Sequence, residues 1–179
     1  MYEVELKVRA DHDAVRATLE ELGADLVKRA TQVDTYYDAP HREFAETDEA
    51  LRIRRETVEG ETVTKLTYKG PLLEAESKSR EEHETTVENG ETARAIFESL
   101  GFAPAATVEK DRAFYELEGY TVTLDSVAGL GEFVEVETEV PDDDVEAARE
   151  GAVERMRELG LDPDAQIRTS YLGLLLGTE

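Results

Sequence analysis

Residues 2–9 read YEVELKVR. Successive side chains of a strand point to opposite faces, so Tyr2, Val4, Leu6 and Val8 fall on one side and Glu3, Glu5, Lys7 and Arg9 on the other. The same split recurs along the chain. In residues 50–57, Leu51 and Ile53 oppose Arg52 and Arg54; in 61–70, Leu66 and Tyr68 oppose Lys65, Thr67 and Lys69. Arg80, Glu82 and Glu84 share a face, as do Lys110 and Arg112. In 120–127, Thr121, Thr123 and Asp125 oppose Val122 and Leu124; in 131–140, Phe133, Glu135 and Glu137 oppose Val134 and Val136.

Taken singly, each strand fits an antiparallel sheet with its polar side in water. The charge balance argues against that for the set. The 179 residues hold 43 Asp plus Glu against 20 Lys plus Arg, a net charge of −23, so a solvated face here should be acidic. Instead Lys7, Arg9, Arg52, Arg54, Lys65, Lys69, Arg80, Lys110 and Arg112 occupy these faces. The apolar faces then pack outward against helices, and the charged faces line an interior. Such an interior is costly unless a highly charged ligand and metal ions neutralise it.

Helical spacing appears three times. Val15, Leu19 and Leu22 recur within 11–22; Ala93, Ile96, Phe97 and Leu100 within 91–100; Val145, Ala148, Ala152, Met156 and Leu159 within 142–159. Each segment closes on Leu-Gly, the expected helix stop. Aligning the first two corners reveals a faint repeat at an offset of 78 residues, with Tyr36-Tyr37 over Phe114-Tyr115. Each half reads strand, helix, strand, strand, strand: 2–9, 11–22, 26–38, 50–57 and 61–70, then 79–88, 91–100, 105–118, 120–127 and 131–140. The fold class expected is α+β: one domain over 1–179, its halves spanning 1–70 and 79–140, with C-terminal helices in 142–179. Eight antiparallel strands close into a barrel that holds one small ligand; closure in chain order makes the first and last strands neighbours. Residues 71–79, PLLEAESKS, read as a mobile loop at the junction.

Composition excludes several functions. No apolar run reaches the roughly 18–20 residues of a membrane span, and the charged start is not a signal peptide. There is no Cys, and His12, His41 and His83 are too scattered for a zinc triad. The acidic, Lys-poor composition suits a salty, halophilic cytoplasm; a cytoplasmic protein is expected, with no nucleic-acid or membrane partner. Clustered bases match a polyanion such as a triphosphate. The pairs Glu3/Glu5 and Glu135/Glu137, without Cys or His, suit Mg²⁺ or Mn²⁺.

EVELKV, with Glu3, Glu5 and Lys7, resembles the E-x-E-x-K signature of the CYTH superfamily, the triphosphate tunnel metalloenzymes. QVDTYYD, ALRIRRE, KLTYKGP, SREEHE, EKDRAFY, TLDSVAGLGEFVEVE and TSYLGLL follow in that family's order across essentially the whole chain. The resemblance implies an eight-stranded tunnel in which Glu3, Glu5, Glu135 and Glu137, with Asp125, hold metal. It implies phosphate binding by Lys7, Arg52, Arg54, Lys69, Arg80, Lys110 and Arg112. Lys65 shares the Lys69 face and joins that set as a candidate. Tyr36 is expected beside the reacting phosphate, with Lys69 as the other catalytic candidate; core packing accounts for at least one of Tyr36 and Tyr37. Glu82 and Glu84 read equally as metal ligands or as partners that orient Arg80 or a neighbouring base. The DTYYD, LRIR and SYLGLL segments look most like the class IV adenylate cyclase branch. The alternatives are a triphosphatase acting on inorganic or thiamine triphosphate, and a non-catalytic nucleotide or polyphosphate binder. Expected partners are ATP, tripolyphosphate or thiamine triphosphate, and a second copy of the chain as an optional homodimer.

Overall fold

The computed structural model of the protein describes residues 1–72 and 79–177. Most of the junction, residues 73–78, lies outside these, and with it the mobile-loop reading. The first half comprises β1 (Tyr2–Arg9), α1 (His12–Glu21), β2 (Asp25–Asp38), α2 (Phe44–Thr47), β3 (Ala50–Val58) and β4 (Glu61–Lys69). The second comprises β5 (Arg80–Val87), α3 (Gly90–Ser99), β6 (Ala103–Leu117), β7 (Tyr120–Val127) and β8 (Gly131–Val140). A 3₁₀ turn at Asp142–Asp144 then leads into α4 (Val145–Glu158), and α5 (Tyr171–Leu176) follows. Sequence periodicity misses α2, which is too short to show a repeat, while α5 falls within the C-terminal helices expected in 142–179. Local chemistry sets the helix starts: Asp11 accepts from the Asp13 N–H, Asn89 from Thr92 and Ser170 from Gly173.

The eight strands form a closed antiparallel barrel, but not in chain order. The order is β1-β5-β4-β3-β2-β6-β7-β8, with β8 closing on β1. Each half makes a meander of its last three strands, while its first strand pairs with the last strand of the other half: β1 with β8, β5 with β4. The long β2 and β6 pair with each other from Asp25↔Glu116 to Asp38↔Ala103. An approximate two-fold axis thus relates the halves, and the expected neighbours β1 and β8 meet through this exchange.

Both faces of β1 are buried. Leu6 and Val8 pack with Val15 and Leu19 of α1, with Ala152 and Met156 of α4, and with Val122, Leu124, Val134 and Val136. Val4 packs on Val145 and Ala148. The other half is more open. Ile96 of α3 and Leu100 just past its end remain exposed at 53% and 66%, contrary to their expected core role. The reason lies in β5, whose outward residues Glu81, His83 and Thr85 are polar and exposed, so no apolar surface there requires a helix.

Candidate active site

The inward residues line a cavity of about 840 Å³. Glu3, Glu5, Lys7, Tyr36, Arg52, Arg54, Lys65, Lys69, Arg80, Lys110, Arg112, Glu135 and Glu137 all reach its wall. Strand parity and register bring them together: Glu5 faces Glu137, Lys7 faces Glu135, and Arg112 faces Asp125.

Glu3, Glu5 and Glu137 each offer an oxygen, all within 4.8 Å of one another. Burial and the neighbouring Glu3 push the Glu137 carboxyl up to about 8, with Glu135 and Glu5 adding to the repulsion. Three acidic groups this close form an all-oxygen donor set that fits a hard divalent cation. Lys69 Nζ stands beside them, 2.9 Å from Glu3, 3.9 Å from Glu5 and 3.5 Å from Glu82. Burial alone would lower its pKa, but Glu3, Glu82 and Glu5 outweigh that and hold it protonated.

Asp125 and Glu135, grouped with the metal ligands by resemblance, have a different neighbour. The Arg112 guanidinium donates to Asp125 Oδ1 and Oδ2 and to Glu135 Oε2, each at 2.6 Å. Asp125 is fully buried and does not reach the cavity wall. It also accepts from the Tyr171 hydroxyl at 2.6 Å. The Tyr171 ring covers Lys7 Nζ at 4.3 Å and Lys110 Nζ at 4.9 Å. Lys7 Nζ further donates to the Thr169 carbonyl at 2.7 Å. The C-terminal segment therefore seals part of the cavity and organises its bases.

A second fork anchors the opposite wall, where Arg54 donates to both oxygens of Asp34 at 2.6 and 2.8 Å. Burial would raise the Asp34 pKa, but Arg54 outweighs it and keeps the carboxylate charged. Burial, followed by repulsion from Arg112 and Arg54, lowers Lys110 to about 7. Glu56 gathers Lys28 at 3.0 Å, Gln32 at 2.6 Å and Lys65 at 3.5 Å. Arg52 approaches Glu84 at 3.7 Å, while Arg80 donates to the Asp48 carbonyl at 2.6 Å and its carboxylate at 3.1 Å. Arg80 is thus tied to the end of α2, while Glu82 and Glu84 lie beside the neighbouring bases Lys69 and Arg52.

Tyr36 lines the cavity and packs beside Val108, Phe133 and Tyr171. Tyr37 is 2% exposed and meets Phe97 edge-on at 5.3 Å, a packing role. Arg9, counted among the inward bases, is the last residue of β1, paired with Phe133 at the rim of the barrel, exposed and donating to the Leu130 carbonyl. Its parity is correct, but the cavity lining ends before it. Asp34, Glu56 and Tyr171 were not assigned roles from sequence. Parity identifies the side of Asp34 and Glu56; the position of Tyr171 depends on how the tail folds back.

A model of the CYTH domain family matches residues 1–171. The chain is 40% identical over 176 residues to "Putative adenylate cyclase MJ0240" of Methanocaldococcus jannaschii, covering 97% of this chain and 98% of that one. It is 28% identical over 137 residues to adenylate cyclase CyaB of Aeromonas hydrophila, covering 75% and 68% respectively. The solved structure of the PH1819 protein from Pyrococcus horikoshii OT3 superposes with a TM-score of 0.91 at 39% identity, covering 98% of each chain.

Proposed function

The chain belongs to the CYTH domain family, and from that premise we propose that it is a divalent-metal-dependent enzyme converting ATP to cyclic AMP and pyrophosphate. The observation that carries the reading is the cavity itself: buried Lys and Arg surround it, beside the trio Glu3, Glu5 and Glu137. The adenylate cyclase names of two relatives support the choice of reaction.

In this reading Glu3, Glu5 and Glu137 hold Mg²⁺ or Mn²⁺, which when bound neutralises phosphate oxygens and polarises phosphorus. Lys7, Arg52, Arg54, Lys69, Lys110 and Arg112 bind the triphosphate, Arg as forks and Lys as point charges. Lys65 and Arg80 contribute charge from Glu56 and α2. Asp125 and Glu135 act through Arg112, fixing its fork. Tyr36 and Lys69 border the reacting phosphate. The ribose 3′-hydroxyl oxygen bonds to the α-phosphorus, the bond to the bridging oxygen breaks, and the hydroxyl proton leaves with pyrophosphate. The protein's part is positioning and charge neutralisation in a dry site.

The test incubates the protein with ATP, tripolyphosphate and thiamine triphosphate in Mg²⁺ or Mn²⁺ at high KCl and identifies products by mass. Cyclic AMP with pyrophosphate supports the proposal. Orthophosphate without cyclic nucleotide assigns a triphosphatase instead, and binding without turnover a non-catalytic module.

A further inference from the structure

The described lysines, Lys7, Lys28, Lys65, Lys69 and Lys110, all reach the cavity wall. Four of them donate to an acceptor. Lys7 Nζ bonds to the Thr169 carbonyl, Lys28 and Lys65 to Glu56, and Lys69 to Glu3. Lys110 is the exception. Its side chain is 4% exposed, and the carboxylate oxygen it approaches, Asp34 Oδ2, stands 3.9 Å away, beyond hydrogen-bonding distance. An ammonium carries three donors and no acceptor, so a charged Lys110 would leave all three unmet among the described residues.

The groups around it explain why no counter-ion is free. On β2, both oxygens of Asp34 are taken by Arg54 of β3. On β7 and β8, Asp125 and Glu135 are taken by Arg112, which shares the inward face of β6 with Lys110. From α5, the Tyr171 hydroxyl donates to Asp125 and is held protonated by burial and then by Glu135 and Asp125. The Tyr171 ring serves two amines, and Lys7 of β1 lies nearer to it, at 4.3 Å against 4.9 Å for Lys110. Each neighbouring carboxylate is thus paired with a guanidinium, and a further cation is repelled. Burial, then Arg112 and Arg54, accordingly brings Lys110 down to about 7. Lys69 differs, because Glu3, Glu82 and Glu5 stand close enough to keep it charged.

A triphosphate in the cavity reverses both terms. Its oxygens are acceptors for the amine, and its charge offsets the two guanidiniums. We propose that Lys110 is a neutral amine in the free protein and takes a proton from solvent when a triphosphate enters, so that binding is coupled to proton uptake at this residue. The inference rests on the triphosphate reading of the cavity and adds to it a residue whose charge is made by the ligand. Its sign is fixed by linkage: above about pH 7 the free amine lacks a proton that the complex holds, so affinity falls as pH rises.

NMR of the full chain labelled with ¹³C at lysine Cε, at high KCl, tests the free state. One lysine resonance should titrate near pH 7 and be absent from Lys110→Arg. Lys110→Met, which removes the charge and keeps the length, should lose the same resonance. Excess tripolyphosphate with Mg²⁺ should raise that midpoint by about one unit or more. Calorimetry at about pH 8 in two buffers of different ionisation enthalpy then counts protons. The wild type should take up close to one more proton per tripolyphosphate than Lys110→Arg, whose guanidinium is charged throughout; contributions from metal and ligand are common to both and cancel. Between about pH 6 and about pH 8 the wild-type dissociation constant should rise roughly tenfold more than that of Lys110→Arg. A Lys110 resonance that stays charged to about pH 9, a midpoint unmoved by bound tripolyphosphate, or equal proton uptake in the two proteins would overturn the coupling while leaving the triphosphate reading intact. Failure of tripolyphosphate to bind would overturn that reading and the coupling with it.

Discussion

Arg112 on β6 and Asp125 on β7 face each other across the strand pair and close a fork, with Nε to Oδ1 and Nη2 to Oδ2 both at 2.6 Å. Both are buried, and the same Nη2 also reaches Glu135. Asp125→Asn leaves a buried guanidinium short of a charged partner and disturbs the acceptor of the Tyr171 hydroxyl. Breaking such a pair costs about 3 kcal/mol or more. Denaturant unfolding at high KCl should show a loss of that order; a loss under about 1 kcal/mol would mean that Glu135 alone satisfies Arg112.

Glu5→Gln removes one charge from a trio whose members lie within 4.8 Å. The substitution keeps the shape and relieves repulsion, so the fold should hold. Mn²⁺ affinity should fall, and turnover should drop roughly 100-fold or more. Metal titration by calorimetry alongside a circular dichroism melt separates these effects. Unchanged Mn²⁺ binding would remove Glu5 from the metal site.

Glu137 gives the metal-free protein a pH dependence. The native carboxyl, raised by burial and then by Glu3, holds its proton to about 8, while the unfolded carboxyl releases it near 4.5. Between those values the native state binds more protons, so stability falls as pH rises through the window. Denaturation in EDTA from about pH 5 to about pH 8 should show this decline, and Glu137→Gln should flatten it. Parallel profiles for the two proteins would assign the slope to other groups.

Gly151 on α4 lies against Tyr120, whose hydroxyl donates to the Ala148 carbonyl at 2.9 Å. A Cβ at position 151 would fall inside contact distance of that hydroxyl. Gly151→Ala should therefore destabilise by about 1–3 kcal/mol, although alanine is the better helix former. Tyr120→Phe in the same chain should recover part of the loss, because the clashing oxygen is gone. If Gly151→Ala melts at or above the wild-type temperature, α4 has more freedom on β7 than its packing indicates.

Much of the barrel and its charged wall was legible because strand parity is a local rule. Alternation in YEVELKVR is enough to separate Val4, Leu6 and Val8 from Glu3, Glu5 and Lys7, and an acidic background makes each inward base conspicuous. The 78-residue repeat likewise follows from matching Leu-Gly corners. Strand order did not follow, because pairing is decided by contacts far apart in sequence: nothing local tells β5 to join β4 and β1. Parity also says which side a residue faces, not how far along the wall it sits, so Arg9 is exposed at the barrel rim while Lys7 is 1% exposed inside it. The divergence of Asp125 from the carboxylate trio has the same origin. Its residue type and face match a metal ligand, but the register sets it opposite Arg112 and under Tyr171. Sequence by itself determined which residues turn inward, because that depends on the two-residue period of a strand. Which of those inward residues meet depended on tertiary structure, because barrel closure and the fold-back of residues 167–176 bring together groups more than 100 positions apart.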